Sequence, residues 1–167
     1  MAKKSPFIAL IAACGLLGTQ VVLAQTCKSS ITDKTPNSRY TVNNDGTVSD
    51  SKTRLMWAQC SQGQTWASNG GAGSCSGTVS THTWQAALTT AEAVTLAGHS
   101  DWRLPNIKEL SSLVAINCAD PAINATIFPS TPLSSYFWSG SPSADDSSRA
   151  WSVYFDYGYA YGGSKSG

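Results

Sequence analysis

Four cysteines, Cys27, Cys60, Cys75 and Cys118, constrain this chain more than any other feature. A fifth, Cys14, falls in the apolar start of the chain and is set aside; the four are even in number, their spacings are wide, and no two form a C-x-x-C pair. In an oxidising compartment such a set makes two disulfides, in one of three pairings. Cys60 with Cys75 is the favoured first bridge, because it staples the Gly-rich stretch between them; Cys27 with Cys118 is then the second. Zinc is the weaker alternative: the spacings are poor for it, and His82 and His99 are the only imidazoles. No metal site is expected.

The beginning of the chain supports an oxidising compartment. Lys3 and Lys4 form a positive start, Phe7 to Gly18 an apolar run, and Val22-Leu23-Ala24 a small-residue cleavage site. This is the pattern of a secretory signal peptide over residues 1–24. A rival reading makes Ile11-Ala12-Ala13-Cys14 a lipoprotein box, but the greasy "GLLGTQVVLA" after Cys14 reads as more of the apolar run. That run is short of the roughly 20 residues a membrane span needs, and no later segment is apolar enough to be a transmembrane segment. The expected division is signal peptide 1–24, N-terminal arm 25–38 and one domain over 39–167. The expected location is the periplasm, the cell surface or the medium.

The charge balance narrows the partners. The chain has 11 Lys and Arg against 10 Asp and Glu, and loss of Lys3 and Lys4 leaves nine basic residues. Capture of nucleic acid wants a basic surface, so it is excluded. Charged residues make up 13% of the chain, so Ser, Thr, Asn and Gly must do the solvating.

Residues 40 to 58 have a hairpin pattern. Tyr40 and Val42 alternate with polar residues, Asn44-Asp45-Gly46 tolerates positive φ, Val48 begins the return, and Leu55-Met56-Trp57 reads as a further strand. Residues 61–81 show neither strand nor helix period and are expected to be a loop. A first helix is expected over 83–97, capped by Thr83, stopped by Gly98, with Trp84, Ala87, Leu88, Ala91 and Val94 on one face. A second starts at Asn106, with Glu109 completing a capping box and Ile107, Leu110, Leu113 and Val114 as its apolar stripe. Pro105 keeps the two apart. The end returns to strands, "YFWSGS" and "RAWSVYFDYGYAYGG", with a turn at Asp156-Tyr157-Gly158. The order of strands, helices and strands predicts an α+β fold: an antiparallel sheet with two consecutive helices, stapled by disulfides.

"YTVNNDGTVSDSKTRLMWAQ", "AGHSDWRLPNIKELSSLV", "DPAINATIFP" and "YFWSGSPSADDSSRAWSVYFDYGYAY" together resemble the landmarks of the Lcl C-terminal domain family, from about Tyr40 to Gly167. The resemblance implies an exported bacterial surface domain, with a compact C-type lectin-like fold akin to that of formylglycine-generating enzymes. It implies an adhesin, since the collagen-like relative binds sulfated glycosaminoglycans, and a homo-trimer. Two departures stand out. Family chains continue into a final strand with a further Cys, so the Tyr159 to Tyr161 segment is expected to lack a sheet neighbour here. The nine cations are also scattered, which argues against carrying over the sulfated ligand.

The residues favour binding over catalysis. His82 and His99 lie beside the ends of the first helix, with no Ser or Cys nucleophile in a recognisable setting. No Cys follows Cys118, so the late redox cysteine pair that a likeness to formylglycine-generating enzymes implies is missing, and that chemistry is not carried over. Asp145 and Asp146 are adjacent in a polar loop and are read as solvated; with Asn or carbonyl oxygens they are the place where calcium could bind, and otherwise no cofactor is expected. Trp102, Leu104 and Pro105 are read as a structural corner, with Trp102 buried under the two helices. Arg103 is read as held by a carbonyl or a carboxylate such as Asp101, with an anion hook as its functional alternative. Trp66 is either the anchor of its Gly-rich loop or a stacking platform. Tyr, Trp and their neighbours crowd the last third, and by alternation Trp151 is core while Tyr154 and Tyr157 are exposed. The expected function is lectin-like recognition of a glycan or a cell-surface protein through Tyr154, Tyr157, Asp145, Asp146, Trp66 and Arg103. An oligomerising envelope module is the alternative.

Overall fold

The computed structural model describes residues 25–166. The expected signal peptide over residues 1–24, and its rival reading as a lipoprotein box at Cys14, lie outside the described residues. The elements are β1 (Thr26–Cys27), a 3-10 turn (Asn37–Arg39), β2 (Tyr40–Val42), β3 (Thr47–Asp50), β4 (Met56–Ala58), β5 (Thr65–Ala67) and β6 (Ser74–Ser76). Two helices follow, α1 (Trp84–Ala93) and α2 (Ile107–Ser111). The chain then forms β7 (Cys118–Ala119), β8 (Tyr136–Pro142), β9 (Arg149–Tyr154) and β10 (Tyr159–Ser164). Two three-stranded sheets, β2-β3-β4 and β10-β9-β8, and two strand pairs, β1-β7 and β5-β6, are all antiparallel. The protein is therefore a mostly-sheet α+β fold.

Local chemistry sets the first sheet. Asn44 and Gly46 take positive φ, and the Asp45 carboxylate accepts the Thr47 amide and hydroxyl at 3.0 and 2.6 Å. The turn so formed places Val48 opposite Val42 and Trp57. In the last sheet the β9–β10 turn closes on Gly158, at φ 75°. A Cβ there would sit 2.5 Å from Val114 Cγ1 and 3.0 Å from Ala122 Cβ, so the site admits only glycine.

The core joins the two larger sheets. Tyr40 and Val48 from one, Val153 and Phe155 at the other, and Leu110, Leu113, Ile123, Ile127 and Phe128 from α2 and the segment after it form one buried cluster. Arg39 and Asp50 are buried beside it, at 5% and 2% exposure. Arg39 Nε donates to Asp50 Oδ1 at 2.8 Å and its Nη2 bonds Oδ2. Arg39 Nη1 donates to the Ser112 carbonyl at 2.8 Å, which ties the 3-10 turn before β2 to the end of α2. Burial works to raise the Asp50 carboxyl. Arg39, the Thr53 hydroxyl and the Lys52 amide outweigh it and hold the group well below the ordinary carboxylate range.

Both bridges are the ones favoured from sequence, Cys27–Cys118 and Cys60–Cys75. The first also makes the polar arm part of the fold, because Thr26 and Cys27 pair with Ala119 and Cys118.

Several expectations are corrected. Residues 61–81 are not a plain loop: β5 and β6 form a hairpin in them, with Trp66 opposite Cys75. Its strands are only three residues long, too short for a visible period. The first helix ends at Ala93, not 97. The β-branched Val94 turns extended, and Ala97 and Gly98 take positive φ in a tight turn where Leu96 and His99 bond each other's backbones. Gly98 thus serves a hairpin rather than a helix stop. Of the α1 stripe only Ala87 is buried, because the helix borders an open cleft. For the same reason Trp102 and Leu104 are half-buried rather than sealed in the core, and Trp151 is also only half-buried.

The corner still works as a joint. Asn106 Oδ1 accepts the Glu109 amide at 2.9 Å, and Glu109 Oε2 accepts the Asn106 amide at 2.7 Å. The Pro105 carbonyl accepts the Gly140 amide at 2.8 Å, and Ser141 Oγ accepts the Ile107 amide at 3.0 Å. These bonds fasten the start of α2 to β8.

Candidate functional site

The candidate site is the outer face of the last sheet, where tyrosines lie side by side. Alternation in β9 sends Val153 and then Phe155 to the core, so Tyr154 faces outward. Register then places Tyr136 of β8 and Tyr159 of β10 on either side of Tyr154. Tyr161, two residues on, shares their face, and Tyr157 caps the group from the turn.

The rings form a connected cluster. Tyr136 stacks on Tyr154 with centroids 4.8 Å apart and meets Tyr161 at 5.2 Å. Tyr154 meets Tyr159 at 5.3 Å and Tyr157 at 6.0 Å. Tyr136, Tyr157, Tyr159 and Tyr161 remain 48%, 64%, 44% and 45% exposed. Large hydrophobic side chains clustered in the open mark an interaction surface far more than scattered ones do.

Hydrogen bonds hold the centre of the cluster. Tyr154 donates its hydroxyl to Asp156 Oδ2 at 2.8 Å, and the buried Asp156 also accepts the Ser134 amide at 2.9 Å. The bond to Asp156 raises the Tyr154 phenol above its ordinary value, and the contact with the Tyr159 hydroxyl, at 3.4 Å, raises Tyr136. Both stay protonated at neutral pH. The rings therefore present an aromatic face rimmed by hydroxyls that can donate and accept, with the Asp156 carboxylate buried behind Tyr154.

The residues singled out in the sequence divide into three places. Tyr154 and Tyr157 are together on the aromatic face. Asp145 and Asp146 are exposed in the β8–β9 turn, where Asp146 accepts the Ser148 amide at 2.9 Å and pairs with Arg149 at 3.4 Å. Among the described residues no three His, Cys, Asp or Glu gather around a metal-sized space. Trp66 and Arg103 border the cleft beyond β8. Trp66 packs its ring against Gly46 and Gly73 and donates Nε1 to the Ala72 carbonyl at 3.1 Å. Arg103 grips Glu109, not Asp101: Nη1 and Nη2 reach the two carboxylate oxygens at 2.8 and 2.9 Å. Glu109 is the nearer partner because the capping box already aims its carboxylate back toward the corner.

Tyr136, Tyr159 and Tyr161 are visible in the sequence only as part of an aromatic-rich tail. The signal that finds them is register: a four-residue turn from Phe155 to Gly158 puts Tyr159 across from Tyr154, and Tyr161 then follows at period two.

Comparison with curated proteins finds no match, and comparison with solved structures finds none either. Against protein-family models, the Lcl C-terminal domain matches residues 46–167, which contain both the corner at Trp102 to Pro105 and the whole tyrosine face. The chain belongs to the Lcl C-terminal domain family.

Proposed function

We propose that this protein is an exported, non-catalytic binding domain that takes a neutral glycan on its tyrosine face, as a lectin-like adhesin would. One observation carries the reading: five tyrosines in mutual contact, four of them largely open to water. The apolar face of a sugar ring packs on such rings, and its hydroxyls find donors and acceptors at the phenols. Tyrosine gives this contact area at small entropic loss. The face holds no Lys or Arg in its ring contacts, which favours an uncharged sugar over a sulfated one. Two disulfides, and no helix among the described residues long and apolar enough to cross a membrane, fit a secreted or extracellular location.

The test is an array of neutral and sulfated glycans probed with the oxidised protein, its fold checked by near-UV dichroism. Saturable binding to a neutral class, lost in Tyr154→Ala/Tyr157→Ala, is the expected result. Binding confined to sulfated glycans and unchanged in the double variant would move the site off this face. Silence from the folded protein would favour a protein partner or an oligomerising role.

A further inference from the structure

The cleft beyond β8 is a second place where a ligand fits. It encloses about 1100 Å³ between α1, the Trp102 to Pro105 corner, β4 and β8. That is ample for a small organic molecule. Its walls are mainly apolar, with Trp57, Trp102, Leu104 and Phe137 among them. Its charges largely cancel, because Arg103 and Glu109 bind each other across two hydrogen bonds. The remaining acid at its rim, Asp101, is exposed to water.

Three polar atoms in this wall are shut off from water and have no hydrogen-bond partner: Trp57 Nε1, Gln59 Oε1 and His82 Nε2. Gln59 is 3% exposed. Its amide nitrogen already donates to the Ala72 and Ile127 carbonyls, at 2.6 and 2.9 Å, so the amide cannot turn its oxygen elsewhere without losing both bonds. Trp57 lies in β4 and Gln59 at the bend just after it, and both line the cleft. Buried groups left without partners are costly, and a ligand that supplies partners recovers that cost. Trp57 and His82 are only half-buried as residues, so their rings border open space with the polar atoms just beneath. A small turn of either ring brings those atoms to a ligand.

We propose that this cleft binds a neutral, ring-shaped hydrophobe bearing a hydroxyl group. The rings fill the apolar walls. The hydroxyl both accepts from Trp57 Nε1 and donates to Gln59 Oε1, which a ketone or an ether cannot do. A carboxylate would enter without a cation to meet it. This site is distinct from the tyrosine face and does not depend on that face binding a glycan.

The probe pair is 2-naphthol and naphthalene, titrated by calorimetry into the oxidised protein. The expected result is saturable binding of 2-naphthol at one site, about tenfold tighter than naphthalene, the gain of one net hydrogen bond. Trp57→Phe keeps the ring and removes the donor; it should erase most of that tenfold preference. Ala91→Trp fills the cleft from α1 and should abolish binding of both probes. Tyr157→Ala should leave both unchanged. If near-UV dichroism shows that Trp57→Phe has lost its fold, 2-methoxynaphthalene takes its place as the probe: an ether cannot donate to Gln59 Oε1, so it should lose most of the tenfold preference, and binding as tight as that of 2-naphthol would overturn the proposal. No saturable binding, equal affinity for the two probes, or loss of binding in Tyr157→Ala would each overturn the proposal.

Discussion

The β2-β3-β4 and β10-β9-β8 sheets are alike in strand number and antiparallel order, yet they break the inside-outside rule in opposite directions. The first buries a charged pair, Arg39 and Asp50, beside the core. The last leaves Tyr136, Tyr157, Tyr159 and Tyr161 in water. The buried pair is fully engaged: the guanidinium meets a carboxylate and two backbone carbonyls, and the carboxylate also takes an amide and a hydroxyl. Such a network has nothing left to offer a ligand and acts as a structural joint. The tyrosines have spare rings and hydroxyls and little structural duty on their outer side. A polar group hidden and satisfied points to architecture; an apolar group exposed and clustered points to recognition.

The sharpest way to test this contrast is to break the joint. Asp50→Ala leaves Arg39 buried without its partner and should destabilise the fold by about 3–5 kcal/mol in urea unfolding. A loss under about 1 kcal/mol would mean that the pair is solvated and not a joint. The same carboxylate predicts a pH slope. Its pKa is lowered in the fold, so its contribution is complete above the ordinary carboxylate value of about 3.9 and drains away as pH falls below it. Glu109, lowered chiefly by its bond to Arg103, adds a weaker loss in the same direction. Wild type should therefore lose stability in acid more steeply than Asp50→Ala does, as read from urea midpoints between pH 6 and pH 3.

The inner side of the tyrosine sheet should behave like core. Val153→Ala, at a position 0% exposed, should cost about 2 kcal/mol. A much smaller cost would mean that this sheet is loosely packed and its tyrosines are not held in place. Arg103→Ala comes next. The pair with Glu109 is more than half exposed on the arginine side, so its loss should cost no more than about 1 kcal/mol. A large loss there would make the corner a second joint.

What the sequence makes legible follows how local each interaction is. The Asn44 to Gly46 turn and the Asn106–Glu109 capping box are written within four residues, and both stand where the residues place them. The two disulfides are legible because four cysteines allow few pairings. Arg39 and Asp50 are 11 residues apart and meet only because Tyr40 pairs with Asp50 across β2 and β3, so no window of sequence shows them. The stripe of α1 is periodic, but period says nothing about what it faces, and here it faces a cleft. The tyrosine face has the same character. Tyr154 and Tyr157 are readable from strand parity and turn chemistry, while Tyr136 is brought to them from 18 residues away by the β8–β9 register.

The smallest stability effect belongs to the tyrosine face itself, and it is the most informative. Tyr159 is 44% exposed, and its ring touches Tyr154 alone among the aromatic contacts of this face. Tyr159→Ala should move the unfolding free energy by no more than about 0.5 kcal/mol, the range for surface positions. If the face is a recognition surface, the same change should weaken glycan binding severalfold, and Tyr161→Ala should do likewise. A variant that unfolds easily yet binds normally would reverse the assignment: these rings would then be a lid on their sheet, and the exposed cluster would be structural after all. Free energy and affinity must separate at this position, because only a residue whose partner lies outside the molecule can be nearly silent in folding and audible in binding.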